Sequence, residues 1–158
     1  MPPGSAFGVM LALEHSGLGE MARGTTWLYP SANLIHVLGA ALLVGSIAAF
    51  DLQMLRRETV VLALSQATLP VAAAGLLLQL ASGLVLLSAE ASTVVSNPAF
   101  QFKMGVLVLG IGNIALFHLQ FGHHLREGTL PGGARIFAAL SLACWVMVLL
   151  AGRAIAYL

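Results

Sequence analysis

The sequence has very few charged residues and a single cysteine. Asp, Glu, Lys and Arg together make up 8% of its 158 residues, against about 25% in a typical soluble domain. So few charges cannot cover a water-exposed surface, and we therefore expect the solvent of this chain to be lipid. The net charge of +1 argues against a nucleic-acid-binding surface. Cys144 lies alone in an apolar run, which excludes a disulfide framework and a cysteine-based metal knuckle.

The sequence also lacks the motifs of nucleophilic and phosphate chemistry. It has no Gly-x-Ser-x-Gly elbow, and Gly17-Leu18-Gly19 precedes no Lys-Ser/Thr pair of a phosphate-binding loop. The N-terminus has no basic region, and Glu14 and Glu20 interrupt its apolar stretch. These features differ from those of a signal peptide, so we expect the segment to be retained.

Four long apolar blocks dominate what the sequence does contain. They cover about residues 31–55, 59–88, 99–121 and 135–157, and such lengths suffice to cross ~30 Å of hydrocarbon at 1.5 Å per residue. We expect Pro70 to kink the second block, so that its first part runs along the membrane interface. Polar loops are expected at about 88–98 and 122–134. The sequence therefore predicts an all-α, integral membrane four-helix bundle over residues 31–158.

Residues 1–30 are predicted to form an N-terminal amphipathic segment at the membrane interface. The apolar side chains between residues 5 and 23 fall near one face of a helix, as in interfacial helices. Trp27 and Tyr29 mark the headgroup level, and Pro30 suits the first turn of the following helix. A small bias of Lys and Arg places loops 1–2 and 3–4 in the cytoplasm. We therefore expect a multi-pass protein of the bacterial inner (cytoplasmic) membrane, with its termini outside.

Two histidines lie inside the predicted spans. His36 enters the first span from the outer side at about 8 Å depth, whereas His118 lies near the inner side of the third span, so their axial separation is on the order of 15 Å. We therefore expect that they do not ligate one metal together. Each histidine is a candidate metal ligand, and the alternative for each is a structural role near a helix end.

Lys103 and Arg153 lie about one turn inside the outer ends of their spans. Their side chains either snorkel to the lipid headgroups or form a cationic rim over a pocket whose floor is His36. A haem b inserted edge-up would present its propionates to such a rim while its ring fills the apolar core. Gln79 and Asn113 are candidates to line the same pocket, and the alternative for both is an interhelical hydrogen bond.

A histidine-rich metal site is the competing interpretation at the inner side. His118, His123 and His124 lie on or just past one helix end, and Asp51 lies on the same side of the membrane. Imidazole with carboxylate suits a divalent transition metal such as copper or zinc. A cytoplasmic polar loop explains the same residues without a metal.

Several short motifs resemble a known family. The chain resembles an uncharacterised bacterial family of small four-span membrane proteins, and the resemblance covers nearly its whole length. The motifs that carry it are Trp27-Leu28-Tyr29-Pro30, His36-Val37-Leu38-Gly39, Gly45-Ser46, Asp51-Leu52, Gly83, Leu86, Asn97-Pro98-Ala99-Phe100, Lys103, Asn113, Phe117-His118, Trp145 and Gly152-Arg153. This resemblance implies the four-span fold.

A more distant similarity is to two families of four-helix membrane proteins, the copper-resistance D type and the HemJ type of protoporphyrinogen oxidase. The shared features are an early-helix histidine followed by glycine and a lysine early in a later helix. The resemblance implies that His36 is a haem-ligand or metal-ligand position and that Lys103 is a second functional position. The fuller HemJ pattern around the histidine is absent, so the similarity extends to a b-type haem pocket and not to the oxidase activity.

The functional expectation is an integral membrane b-type haem protein that takes part in electron transfer at the outer face of the membrane. Its partners would be the lipid bilayer, a membrane donor such as a quinol, and a periplasmic or membrane redox partner. One alternative is a haem-free copper-handling or small-solute membrane protein. Another is an accessory subunit of a larger membrane complex, and small residues on several helix faces also fit a homo-oligomer.

Overall fold

The computed structural model describes residues 6–56 and 61–157, and those ranges form helices without any β-strand. In chain order the helices are α1 (Ala6–Glu14), α2 (Gly17–Gly24), α3 (Leu28–Arg56), α4 (Val61–Ala89), α5 (Ala91–Ser96), α6 (Pro98–Glu127) and α7 (Ala134–Ala154). Helices α3, α4, α6 and α7 are long and apolar enough to cross a membrane. The predicted all-α four-helix membrane bundle is therefore confirmed. Residues 1–5 of the predicted interfacial segment, the first loop at 57–60 and residue 158 lie outside the described residues.

The four long helices are arranged in a ring with one weak seam. Helix α3 packs on α4 and on α7, and α6 packs on α7, whereas α4 and α6 make only a small contact. The ring order is therefore α4, α3, α7, α6. One end of the bundle carries the short helices α1, α2 and α5, and we call it the capped end. We call the opposite end, where α3 and α6 finish, the Arg56 end.

Two clusters of buried side chains form the core. One lies towards the Arg56 end and is rich in aromatic side chains; its buried members are Phe50, Met54, Phe117, Leu125, Ala134 and Ala138. The other lies in the middle of the bundle and consists of Leu43, Ile47, Ala72 and Trp145. The middle cluster fills the space between the two ends of the bundle with apolar side chains.

Helix α6 begins as predicted and ends later than predicted. The Asn97 side chain accepts hydrogen bonds from the backbone N–H groups of Ala99 at 2.8 Å and Phe100 at 3.3 Å, which caps the helix. The helix continues past the predicted boundary until Gly128, whose positive φ of 72° ends it. Because the buried Leu125 packs in the aromatic cluster, the last turns of α6 have an apolar face. His123 and His124 therefore lie on a helix and not in a loop.

The second apolar block forms one continuous helix. The structure keeps α4 unbroken through Pro70, so the segment expected along the membrane interface is instead the start of α4. Pro70 is exposed on the outside of the bundle, where its ring disturbs no helix–helix contact. The predicted loop 88–98 contains the short helix α5, another difference from the expectation.

The N-terminal segment forms two helices rather than the single predicted one. Ser16 separates them: its hydroxyl donates to the Leu13 carbonyl at 2.6 Å and accepts from the Gly19 N–H at 3.3 Å. Arg23 of α2 donates to the carbonyl of Ala89 at 3.1 Å, at the C-terminal end of α4, where helix carbonyls lack partners. We call α1 and α2 together the N-terminal clip.

A carboxylate attaches the other half of the N-terminal clip. Glu14 Oε2 accepts a hydrogen bond from the backbone N–H of Ser92 at 2.8 Å, in the first turn of α5. Hydrogen bonds from the side chain and backbone of Ser92 hold the pKa of Glu14 below its ordinary value of 4.5. The clip therefore ties the start of the chain to the α4–α5 corner.

Candidate functional site

Glycines bring the backbones of α3 and α4 into contact. A Cβ atom added at Gly75 would lie 2.5 Å from the backbone nitrogen of Leu43 and 2.8 Å from the carbonyl oxygen of Gly39. A Cβ atom at Gly39 would in turn lie 3.0 Å from the carbonyl oxygen of Gly75. Only hydrogen fits at Gly75, and at Gly39 an added methyl group would require its neighbours to move by a few tenths of an ångström. The close approach sets the distance between the two helices and continues one to two turns towards the capped end, where His36 lies.

His36 is held against α4 by three contacts. Its Nδ1 lies 2.9 Å from the hydroxyl of Ser82, and its Cε1 lies 3.1 Å from the position that a Cβ atom would take on Gly83. The side chain of Gln79 donates to the His36 backbone carbonyl. The half-buried imidazole therefore has a fixed position on the α3–α4 surface.

The hydrogen bonds of Ser82 also fix the tautomer of a neutral His36. A serine hydroxyl carries one hydrogen, and Ser82 donates it to the carbonyl of Leu78. The contact with His36 therefore requires that Nδ1 carries the proton and donates to Ser82. The lone pair of a neutral imidazole is then on Nε2, the ring nitrogen that does not contact Ser82.

Lys103 and Arg153, the two predicted cationic residues, have different surroundings. Lys103 crosses over Gly152 of α7, with its Nζ 3.3 Å from the position of a Cβ atom on that glycine. It lies within electrostatic range of His36. Arg153 is exposed: its guanidinium donates to the hydroxyl of Tyr157 and stacks on that ring, with Cζ 4.8 Å from the ring centroid. Lys103 is thus the cation directed towards His36, while Arg153 is engaged on the surface.

A cavity lies between the four long helices, in the half of the bundle nearer the Arg56 end. Its volume is about 310 Å³. Most of its wall is apolar and includes the aromatic rings Phe50, Phe117 and Phe137. The polar side chains in the wall are Asp51, Asn113, His118 and Ser141. His36 does not line this cavity.

Asp51 is the most deeply buried charged residue of the described chain, with 3% of its surface exposed. Its side chain is hydrogen-bonded to that of Ser141 across the α3–α7 contact. Its second oxygen, Oδ2, has no hydrogen-bond partner among the described residues. Since a buried polar atom without a partner is costly, this oxygen is available to a ligand.

Asn113 and His118, both from α6, direct hydrogens to backbone carbonyls. Asn113 Nδ2 donates to the carbonyl of Phe137 on α7 at 3.0 Å, which is the interhelical bond expected as an alternative role. His118 Nδ1 lies 2.9 Å from the carbonyl of Ile114. A carbonyl only accepts, so Nδ1 of His118 carries a proton and a neutral ring has its lone pair on Nε2.

The residues singled out from the sequence therefore fall into two places. His36, Gln79 and Lys103 lie together towards the capped end, whereas Asn113 and His118 lie at the cavity. His36 and Asp51 are fifteen residues apart on α3, or about 22 Å along the helix axis, and His118 lines the same cavity as Asp51. Sequence reasoning missed the pairing of Asp51 with Ser141; the available signal was a carboxylate inside the last turns of an apolar span.

No cluster of metal-ligating side chains in the described part of the chain supports the predicted metal site. Residues 6–56 and 61–157 contain no group of three or more His, Cys, Asp or Glu side chains that could hold a metal ion. His123 instead lies 3.3 Å from Glu127 on the exposed end of α6.

Comparison of the chain with family models, with curated proteins and with solved structures found no match. The resemblances described from the sequence therefore stay predictions.

Proposed function

We propose that the protein is an integral membrane b-type haem protein that transfers electrons at the capped end of its bundle. The observation that carries the proposal is the hydrogen bonding of His36. Its Nδ1 is engaged by Ser82, which leaves the lone pair of the neutral ring on Nε2. A neutral imidazole with one free nitrogen is the usual axial ligand of haem iron.

The residues around His36 fit this role. Ser82 accepts the Nδ1 hydrogen, the type of contact that orients a ligating imidazole and raises its basicity. Gly83 presents no side chain beside the ring. Lys103 offers a positive charge within electrostatic range of His36, and a haem propionate would pair with it. Arg153 is the second candidate for a propionate, and it would have to leave Tyr157 to reach one.

Haem, when bound, supplies the one-electron couple. The chain would supply the axial nitrogen, the orientation of that nitrogen and a water-poor surface, and these set the reduction potential. The electron would come from a membrane donor such as a quinol and pass to a redox partner at the membrane surface.

The absorbance spectrum of the purified protein tests this proposal. The protein would be expressed in haem-replete cells, purified in detergent and recorded oxidised and reduced. We expect a Soret band that His36→Ala removes and that His118→Ala, the matched change at the other intramembrane histidine, leaves in place. A preparation with no Soret band would overturn the proposal.

The same preparations distinguish the alternative function. Stoichiometric copper by elemental analysis, with no haem and with loss of copper in His36→Ala, would replace the haem proposal with a copper-handling one. The absence of both groups, with poor stability of the isolated protein, would favour an accessory subunit of a larger complex.

A further inference from the structure

We propose that the cavity near the Arg56 end binds a small aromatic molecule that carries ring hydroxyl groups, in the chemical class of a quinol, and that it prefers the reduced form to the oxidised quinone. This inference goes beyond haem binding and does not depend on it, because His36 is not part of the cavity wall.

The first argument is the unsatisfied oxygen in the cavity wall. Asp51 is 97% buried. Its carboxyl group is hydrogen-bonded to Ser141, and its Oδ2 has no hydrogen-bond partner among the described residues. A hydrogen bond to a buried polar atom recovers the free energy lost when water was removed from it. When the carboxyl group is ionised, the atom that completes this site is a donor on a ligand.

The second argument is the balance of donors and acceptors. Asn113 Nδ2 and His118 Nδ1 each give a hydrogen to a backbone carbonyl, which leaves Asn113 Oδ1 and His118 Nε2 as acceptors and one amide hydrogen of Asn113 as a donor. With Oδ2 of an ionised Asp51, the acceptors of the cavity outnumber this remaining donor. A quinol has two hydroxyl donors and suits such a wall, whereas a quinone has only carbonyl acceptors.

The third argument is size and shape. An engineered cavity of ~150 Å³ lined by apolar side chains binds benzene, and this one is about 310 Å³. It therefore has room for a six-membered ring with several substituents. Phe50 and Phe117 meet edge to face, with centroids 6.3 Å apart and an interplanar angle of 80°, and aromatic walls of this kind favour an aromatic guest.

A neutral hydroxyl fits this site better than an organic cation. Moving an ammonium group out of water into an apolar cavity costs far more than moving a hydroxyl. The wall contains one carboxyl group and otherwise consists mainly of apolar side chains. The ligand class is therefore an uncharged ring compound dissolved in the membrane.

The position of His118 indicates how the ligand reaches the cavity. His118 lines the cavity and is also exposed, so it lies at the mouth. The helices on either side of the weak seam, α4 and α6, both contribute to the wall. A quinol could therefore insert its ring through this seam and leave an isoprenoid tail in the lipid.

Thermal stabilisation by ligand tests the proposal. The full-length protein in detergent would be titrated with trimethylhydroquinone, kept reduced, with trimethylbenzoquinone and with the dimethyl ether of the hydroquinone, and unfolding would be followed by circular dichroism. A ligand that binds only the folded state raises the melting temperature. We expect half-maximal stabilisation by the hydroquinone at a concentration about tenfold or more below that needed for the other two compounds.

Two variants connect the effect to the cavity. Ala72→Leu fills space in the wall and should abolish the response. Ala74→Leu adds the same volume two residues away on the exposed side of α4, outside the wall, and should keep it. Asp51→Asn should weaken binding of the hydroquinone about tenfold. Stabilisation of the protein by the dimethyl ether should not change.

Three results would overturn the proposal. Equal stabilisation by the hydroquinone and its ether would show that Asp51 does not bind the ligand through a hydrogen bond. Stabilisation by decylamine and not by the hydroquinone would replace the ligand class with a cation. An unchanged response in a folded Ala72→Leu protein would place binding elsewhere. The haem spectrum plays no part in these measurements, so the two proposals can fail separately.

Discussion

The two halves of the bundle differ in how closely their helices approach. Towards the capped end, Gly39, Gly75 and Gly83 bring α3 and α4 together, and His36 lies in direct contact with Ser82. Towards the Arg56 end, the aromatic side chains Phe117 and Phe137 lie in the wall of a cavity. At the capped end, small residues bring the helices together and place His36 against α4. At the Arg56 end, bulky rings line a cavity.

The polar residues at the capped end and those at the cavity are therefore suited to different chemistry. At the capped end the protein itself satisfies Nδ1 of His36 and leaves one nitrogen for a ligand, which suits an inserted group held by one strong bond. At the cavity, acceptors remain around an open volume, which suits a molecule that exchanges with the membrane. The following predictions test whether the two halves are independent.

The largest loss of stability is expected from adding a methyl group where glycine brings the backbones of α3 and α4 into contact. Gly75→Ala places a methyl group against the backbone of α3, and overpacking of this kind costs about 2 kcal/mol of the free energy of unfolding. An SDS unfolding titration followed by circular dichroism measures it. Gly45→Ala is the control, because no atom lies within 4 Å of that added methyl. Equal stability of the two variants would contradict a tight α3–α4 contact.

Single substitutions of polar residues should each weaken ligand binding at one of the two sites and leave the other site unchanged. Ser82→Ala removes the partner that orients His36 and should weaken haem binding about tenfold or more, while leaving stabilisation by hydroquinone unchanged. Asp51→Asn should do the reverse. Haem titration of the apoprotein and the thermal assay measure the two effects. Loss of both activities in either variant would show that the two halves are coupled.

A smaller effect is expected from the hydrogen bond between α6 and α7. Asn113→Leu removes the bond to the Phe137 carbonyl, and interhelical bonds in membranes contribute about 0.6 kcal/mol on average. His118→Phe is a suitable comparison, because the hydrogen bond that His118 makes among the described residues is to Ile114 of its own helix. The SDS titration should show a larger loss for Asn113→Leu, and the opposite order would contradict the assigned role of Asn113.

The smallest effect concerns the attachment of the N-terminal clip to the capped end. Because the pKa of Glu14 is lowered in the folded protein, its contribution to stability is complete above the ordinary value of 4.5 and is lost as the pH falls through the lowered value. Hydrogen exchange at the Ser92 amide, corrected for the intrinsic rate, should therefore accelerate as the pH falls below 4.5. Glu14→Gln should remove this pH dependence. A cavity response that Glu14→Gln alters would contradict the independence of the two halves.

The sequence predicted the long helices well because each depends mainly on its own composition. The four spans, the cap at Asn97 and the turn at Pro30 all depend on local patterns. The helix ends were less predictable: α6 extends past 121 because Leu125 finds a place in the aromatic cluster, and Ser16 divides the N-terminal helix by capping α2. These differences arise from contacts between elements, which a local pattern does not contain.

The candidate sites were predictable only in part, for the same reason. His36 and Lys103 stand out as polar groups in apolar spans, and the structure brings them within electrostatic range of each other. Asn113 lines the cavity and Gln79 does not, which depends on where each residue falls along its helix. The role of Asp51 could not be read from α3 alone, because Ser141, its partner, comes from the last helix.

The middle cluster of the core has a consequence for what can cross the membrane. Leu43, Ile47, Ala72 and Trp145 separate the polar residues of one half from those of the other. Apart from the indole N–H of Trp145, which has no partner among the described residues, this layer offers no hydrogen bonds to a dehydrated ion or to a chain of water molecules. We therefore expect vesicles containing the protein to hold a proton gradient as well as empty vesicles do.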